Sequence, residues 1–488
     1  MATTSLKDAL TDAANYVLAI SAKSVQAFHE RCEITRVECE NLHFSACRSR
    51  LPSGECIQDD ILEECESMGC GLVRDFSAGV VRIPAALSDG VDGNPTNLDV
   101  VEAACYGLAV ESELREQYFS AQTHGATFTY FGSWTGVFRF YPGLAYSACG
   151  GYDPRVRPWY VAASSGPKDV VIVLDISGSM SAKGRMDLAK EAVESVLGTM
   201  TPHTFVTIVV FSETARLLTG NLLLRASDEN KKVLLELLNQ VVPETTTNFE
   251  VALNLAFDVL DASRLAGEEY SSSCNTAILL LTDGHITQGL AAEFIPDLVQ
   301  ARNVDIGAEM FTFALGPEAD QETTKTIACS TGGIYQAVAD GGALATAMSF
   351  YYRYYAIGLG NNAYTATSDL YRFATGGDLG FTVASPAYDR EFDPPAFLGV
   401  AGIDFKVQTF IDRGFTQAEL EDEILIGGRE CPSFNLTDCQ LQVFRGSISA
   451  ESVCDNSCMP AGGSLEPVRC MATEEYPTNL WQNVDLEG

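Results

Sequence analysis

The chain has 488 residues, enough for two or three domains, and its 46% hydrophobic and 20% charged content is that of a soluble globular protein. Its 31 basic against 65 acidic residues leave a formal charge of −34, which argues against nucleic-acid binding, repels anionic lipid and favours cations or basic partners. Fifteen cysteines without zinc spacing, and only five histidines, point to disulfides in an extracellular setting rather than to a reducing compartment.

Apolar residues recur at helical spacing from Ser5 to about His29 (Leu6, Leu10, Ala13, Val17, Ile20, Val25 and Phe28), which predicts an amphipathic helix packed on its own domain. The polar stretch Met1 to Ala9 does not read as a signal peptide, and no apolar run approaches the roughly 18 residues of a membrane span. Membrane association is therefore expected only through a partner or a missing anchor, and an exported chain of this kind is expected to be a fragment, a trimmed chain or the product of a mis-predicted gene start. Residues 32–105 carry seven cysteines among Gly, Pro and Asp and are expected to form disulfide-linked loops with little regular structure.

From Glu111 the pattern becomes helical, then short strands follow. Thr127–Phe131 and Gly136–Tyr141 predict a hairpin around Gly132-Ser133-Trp134-Thr135. Beyond it lie Tyr152, Arg157, Trp159 and Tyr160. One arginine among three aromatics suits a pocket in which a guanidinium grips a carboxylate between ring walls. It equally suits an arginine stacked on a ring to finish a core, and composition leaves both open.

Residues 167–356 alternate strands and helices as in a doubly wound α/β sheet. Strands are predicted at 169–175, 205–211, 276–281, 307–315 and 333–338, and helices at 186–199, 229–240, 249–263, 289–302, 320–329 and 342–356. The apolar run Val170–Leu174 reads as a strand buried on both faces, and it ends in Asp175-x-Ser177-x-Ser179. One carboxylate and two hydroxyls at the carboxyl end of a parallel strand suit a hard divalent cation. Two later loops reach the same edge: Thr245-Thr246-Thr247-Asn248 ahead of a helix, and Thr282-Asp283-Gly284 after the strand Ala277–Leu281.

After Tyr364 strands return at Leu379–Ala384 and Phe397–Phe405, which predicts one β-rich domain interrupted by residues 167–356. From Cys431 five cysteines and a polar ending read as a truncated disulfide-rich tail, with a glycosylation sequon at Asn435-Leu436-Thr437.

The order D-x-S-x-S, T-N, T-D-G resembles the metal-ion-dependent adhesion site of von Willebrand factor A domains. That resemblance implies one Mg2+ or Ca2+ surrounded by Asp175, Ser177, Ser179, Thr247 and Asp283, some of them through water. The run Tyr130-Phe131-Gly132-Ser133, Thr135-Gly136-Val137-Phe138-Arg139, Tyr141-Pro142-Gly143 and Arg157-Pro158-Trp159-Tyr160, leading straight into the metal strand, resembles alpha-2-delta auxiliary subunits of voltage-gated calcium channels. In that family an A domain is inserted into a Cache domain. Ser385-Pro386-Ala387-Tyr388-Asp389 and Gly399-Val400-Ala401-Gly402-Ile403-Asp404 look like the Cache continuation, and the resemblance spans about residues 110 to 412.

The implied fold is thus an α/β von Willebrand factor A domain within an α+β Cache domain, with cysteine-rich flanks. Its expected parts are 1–110, 111–166, 167–356, 357–430 and 431–488. The Cache resemblance also implies an amino-acid pocket. Arg157 would take the α-carboxylate, Tyr152, Trp159 and Tyr160 would form the walls, Asp404 would hold the ammonium, and Tyr364 would be the tyrosine supplied after the insertion. In the family an acid stands near that tyrosine; here Thr365-Ala366 follows it. Cys274 resembles the cysteine that joins the processed delta segment, while a local disulfide or a buried thiol fits its position equally.

Three classes of function follow. One is a non-catalytic extracellular binding module whose cation takes an acidic residue of a protein partner, a calcium channel pore subunit among those implied. A second is a Cache-type sensor of a free amino acid, and an extracellular adhesion protein is a variant of the first. The third, a hydrolase using Asp175 and Asp283 with the metal, lacks G-x-S-x-G, P-loop and H-E-x-x-H motifs, and its one nearby histidine, His285, sits alone in a loop. An enzyme is not expected.

Overall fold

A computed structural model describes residues 5–30, 74–77, 79–84, 87, 97–144, 152–342, 344–348, 350–359, 364–373, 377–391 and 395–455. Most of the cysteine-rich segment expected over 32–105, and the tail beyond 455, lie outside the described residues. The chain divides into two compact units. One gathers described parts of residues 1–164 and 363–426, the other residues 165–362 and 427–455.

In the first unit, helix α1 (Leu6–His29) starts at Ser5, whose hydroxyl accepts the Asp8 N–H while the Asp8 carboxylate accepts the Ser5 N–H. Its apolar stripe, Ala9, Ala13, Val17 and Ile20, is buried in the main core of this unit. Strand β1 (Val80–Arg82) is followed by helix α2 (Leu98–Ser120), β2 (Ala126–Ser133), β3 (Phe138–Tyr141) and the short helix α3 (Pro158–Ser165). Helix α2 runs through the boundary expected at 110/111 and takes in Cys105, which is only 3% exposed. The loops expected up to 105 give way to helix from Leu98, because Asn97 caps it by accepting the Asp99 N–H.

The second unit opens with β4 (Lys168–Asp175) and α4 (Arg185–Thr199), then β5 (Thr204–Phe211), β6 (Ala215–Leu217) and β7 (Leu224–Arg225). Helices α5 (Asp228–Asn239) and α6 (Phe249–Ala266) lead to β8 (Asn275–Thr282). Next come α7 (Ile295–Asn303), β9 (Glu309–Leu315), α8 (Gln321–Ser330), β10 (Tyr335–Val338) and α9 (Phe350–Gly358). The sheet order is β10-β9-β8-β4-β5-β6, with β7 also on β5. The pairs joining β10, β9, β8, β4 and β5 are parallel, while β6 and β7 pair antiparallel at the edge. This is the doubly wound α/β sheet that the alternation predicts. Helix α7 begins later than the 289 expected, since Pro296 sits in its first turn and the Leu290 N–H is taken by Glu250.

The chain then returns to the first unit through β11 (Ala366–Thr367), β12 (Tyr371–Arg372), β13 (Leu379–Asp389), β14 (Ala396–Lys406) and helix α10 (Gln417–Gly427). The antiparallel sheet runs β11-β13-β14-β2-β3-β1, with β12 also on β13. Strand β14 pairs directly with β2, Gly399 opposite Ser133 and Asp404 opposite Phe128. One sheet is therefore assembled from strands on both sides of the inserted unit.

The described part of the segment expected as a separate tail, 431–455, belongs to the second unit. Helix α11 (Asp438–Ile448) lies in the second unit and inserts Arg445, 1% exposed, so that its Nε donates to the Gly333 carbonyl at 2.9 Å. Disulfides Cys274–Cys431 and Cys329–Cys454 fasten the same segment. Cys274 is thus paired within the chain. Among the described residues, no helix is long and apolar enough to cross a membrane.

Candidate metal centre and aromatic pocket

Strand β4 is fully buried and delivers Asp175, 0% exposed, to the carboxyl edge of the parallel sheet. Asp175 Oδ1 accepts the Ser177 N–H at 2.7 Å and Oδ2 accepts the Thr282 hydroxyl at 2.6 Å, so the carboxylate is fixed by its own loop and by the end of β8. Burial pushes this carboxyl up to about 6 against the pull of those hydrogen bonds.

Ser177 and Ser179 lie with their hydroxyl oxygens 3.1 Å apart, and Ser179 donates to Asp283 Oδ1 at 2.8 Å. The Asn248 side chain accepts the Val251 N–H and so opens α6, while Thr247 is held by the Thr287 hydroxyl, which accepts its N–H at 2.9 Å. Gly284 reports how these groups converge. A Cβ there would lie 3.0 Å from Thr247 Oγ1 and 3.6 Å from both serine hydroxyls. The three hydroxyls therefore face one small space beside Gly284, ringed by the two aspartates.

That donor set fits a hard divalent cation, which takes carboxylate and hydroxyl oxygens and keeps part of its hydration. Asp175, Ser177, Ser179, Thr247 and Asp283 would hold it. All five residues predicted from sequence are brought to this edge.

Arg185 was not singled out in the sequence. It is 4% exposed at the start of α4, donating through Nη1 to Asp283 Oδ2 at 2.9 Å and through Nε to Asp340 Oδ1 at 2.6 Å. Arg185 and Lys183 hold the Asp340 carboxyl down at about 2. The His285 side chain is 69% exposed, with Nδ1 3.7 Å from Asp320 Oδ2.

The second cluster lies in the first unit. The Arg157 guanidinium sits 4.6 Å from the centroid of Tyr152, and Trp159 and Tyr160 are buried edge-to-face at 5.6 Å. Tyr130 packs on Trp159 at 4.8 Å. Its hydroxyl donates to Asp404 Oδ1 at 2.6 Å, joined there by Thr382 at 2.6 Å and Tyr371 at 3.3 Å. Burial pushes Asp404 up to about 6 despite these three donors. Burial raises the Tyr152 hydroxyl above its ordinary value, with Arg157 pulling it down and Asp404 pushing it up. Tyr364 packs against the apolar cluster that includes Trp159 and Tyr160, its carbonyl accepting the Ser385 hydroxyl at 2.9 Å. Tyr130 was missed because 274 positions separate it from Asp404, and Tyr371 and Thr382 because no local pattern marks a strand tyrosine or threonine as a donor to that carboxylate.

Residues 170–285 match the model of the von Willebrand factor type A domain. The chain contains that domain. It is also similar to calcium channel alpha-2/delta subunits. It is 28% identical over 282 residues to "Voltage-dependent calcium channel subunit alpha-2/delta-4" of Homo sapiens, covering 55% of this chain and 24% of that protein. It is 31% identical over 294 residues to "Voltage-dependent calcium channel subunit alpha-2/delta-2" of Mus musculus, covering 56% and 24%. The chain thus spans about a quarter of the length of these relatives. A solved von Willebrand factor type A structure from Catenulispora acidiphila aligns at 21% identity with a TM-score of 0.34, over 50% of this chain and 58% of that one.

Proposed function

We propose that this chain is a non-catalytic extracellular binding module of the alpha-2/delta type, whose A domain holds Mg2+ or Ca2+ and completes its coordination with an acidic residue of a protein partner. The observation that carries this reading is the convergence of three neutral hydroxyls on the space beside Gly284, with two aspartates around it. Neutral ligands leave a bound cation electrophilic, and Arg185 offsets the charge of Asp283, so an incoming carboxylate remains favoured. By similarity to the relatives, the partner is a calcium channel pore subunit. Cys105, Cys274, Cys329, Cys431, Cys439 and Cys454 are disulfide-bonded, which supports an oxidising, extracellular location.

The test is calorimetric titration of the full chain with Mg2+ and Ca2+. Asp175→Ala should abolish the binding at this site while the protein stays folded. Unchanged titration by the variant would remove the assignment.

A second reading concerns the antiparallel unit as a Cache-type pocket for a free α-amino acid. It rests on Arg157 over Tyr152, and on Asp404 held by three hydroxyls in the same unit, where Tyr130 packs on Trp159. A guanidinium and a carboxylate so arranged match the two ends of a zwitterion. A thermal-shift screen of the twenty amino acids tests it, and no shift at millimolar concentration would count against the pocket.

A further inference from the structure

A second group of ligating side chains lies in the antiparallel unit, apart from both sites above. Helix α1 ends at His29, whose Nε2 is 3.1 Å from Asp389 Oδ1 and whose Nδ1 is 3.4 Å from Glu391 Oε2. One ligand atom from each of the three residues lies within 4.8 Å of the others. Asp389 closes β13 and its side chain is 1% exposed, whereas that of Glu391 is 80% exposed and free to swing. Oδ1 of Asp389 also accepts the Glu391 N–H at 3.0 Å, but its Oδ2 is buried without a hydrogen-bond partner. An orphaned carboxylate oxygen in such surroundings is costly, and calls for an explanation.

A protonated His29 would satisfy the two oxygens it faces and still leave Oδ2 alone. Two carboxylates against one imidazole also leave the cluster negative in either protonation state of the histidine. The carbonyl end of α1 adds further negative potential there. A divalent cation answers all three facts at once.

We infer that His29, Asp389 and Glu391 form a second cation site, for a borderline divalent ion such as Zn2+, which fastens α1 to the β13–β14 hairpin. One imidazole nitrogen and two carboxylates, with water completing the shell, are a zinc-type set, whereas Mg2+ and Ca2+ prefer oxygen alone. The frame is already in place: α1 packs along β13 and β14, and the Ser21 hydroxyl donates to the Pro386 carbonyl at 2.9 Å. Asp389 is the rigid anchor, His29 the second fixed ligand, and Glu391 the arm that closes on the ion.

The full chain, stripped with a chelator and returned to excess Mg2+ to fill the A-domain site, is titrated with Zn2+ alone by calorimetry. Co2+ serves as a spectroscopic probe in a parallel titration. Wild type should take up Zn2+ and give visible Co2+ absorption, and Asp175→Ala should retain both. His29→Gln should weaken Zn2+ binding by at least about tenfold, and Glu391→Gln by several-fold, with both signals falling together. These two positions are partly or largely exposed, so their variants keep the fold where Asp389→Asn would not. No Zn2+ uptake by wild type in Mg2+ would overturn the site. So would uptake that His29→Gln leaves intact, or that is lost with Asp175 instead.

Discussion

Arg185 donates to Asp283 Oδ2 over 2.9 Å while the other oxygen of the same carboxylate takes the Ser179 hydroxyl. The guanidinium thus fixes the rotation of an aspartate that would otherwise be free to turn away from the serines. The carbonyl-bearing loop after β9 closes tightly over it. Gly316 sits at φ +83°, and a Cβ there would stand 2.3 Å from Arg185 Nη2.

Arg185→Met should therefore destabilise the cation-free protein by about 3 kcal/mol, the usual cost of removing one partner of a buried ion pair. Added Mg2+ should raise the melting temperature of the variant more than that of wild type, because the ion supplies the positive charge Asp283 has lost. Melting curves with and without Mg2+ decide this, and equal shifts would contradict it.

Gly284→Ala places a methyl 3.0 Å from Thr247 Oγ1, inside the space that the three hydroxyls share. The expected result is a loss of Mg2+ affinity of about tenfold or more, with a melting temperature in chelator close to wild type. Calorimetry and a melt in chelator separate the two effects.

Asp404 titrates near 6 in the folded chain, against about 3.9 unfolded. A raised folded value means that the protonated form is favoured by folding, so this group adds stability below about pH 4 that is lost as pH rises through 6. Binding runs the other way, since an ammonium needs the ionised carboxylate. Amino-acid affinity should fall about tenfold from pH 7 to pH 5, and Asp404→Asn should flatten that profile while weakening amines throughout. A pH series of thermal shifts checks it.

The tail segment should be held as firmly as its links imply. Removing the Cys329–Cys454 disulfide, which closes 125 residues, should cost up to about 5 kcal/mol. Limited proteolysis should then cut first between α11 and Cys454, since Cys439 and Arg445 still hold the helix itself. In the intact protein, thiol labelling after denaturation without reductant should find few of the fifteen cysteines free. Labelling of most of them would overturn the extracellular reading.

The parallel sheet was legible because its central strands are buried on both faces. Val170–Leu174 and Ala277–Leu281 are continuous apolar runs, and the residues just after them fall at the sheet edge by geometry alone. Asp175, Ser177 and Ser179 could be placed at that edge for that reason, as could the loops carrying Thr247 and Asp283, whereas the choice of those two residues rested on the family resemblance. The interrupted domain was legible in the same way, from strands of like composition on either side of the insert.

What the sequence could not carry was the choice among polar residues that only long-range contacts make. Arg185 and Asp283 stand 98 positions apart, and Tyr130 and Asp404 stand 274 apart. No local pattern distinguishes Arg185 from a solvated helix arginine, or Tyr371 from any strand tyrosine. The same holds for α11, which composition marks only as cysteine-rich; burial of Arg445 against Gly333 and two disulfides attach it to the second unit. Backbone periodicity is a local property and is written in the chain. Hydrogen bonds and ion pairs between distant strands exist only once the hydrophobic core has brought their partners together, so tertiary structure alone decided them.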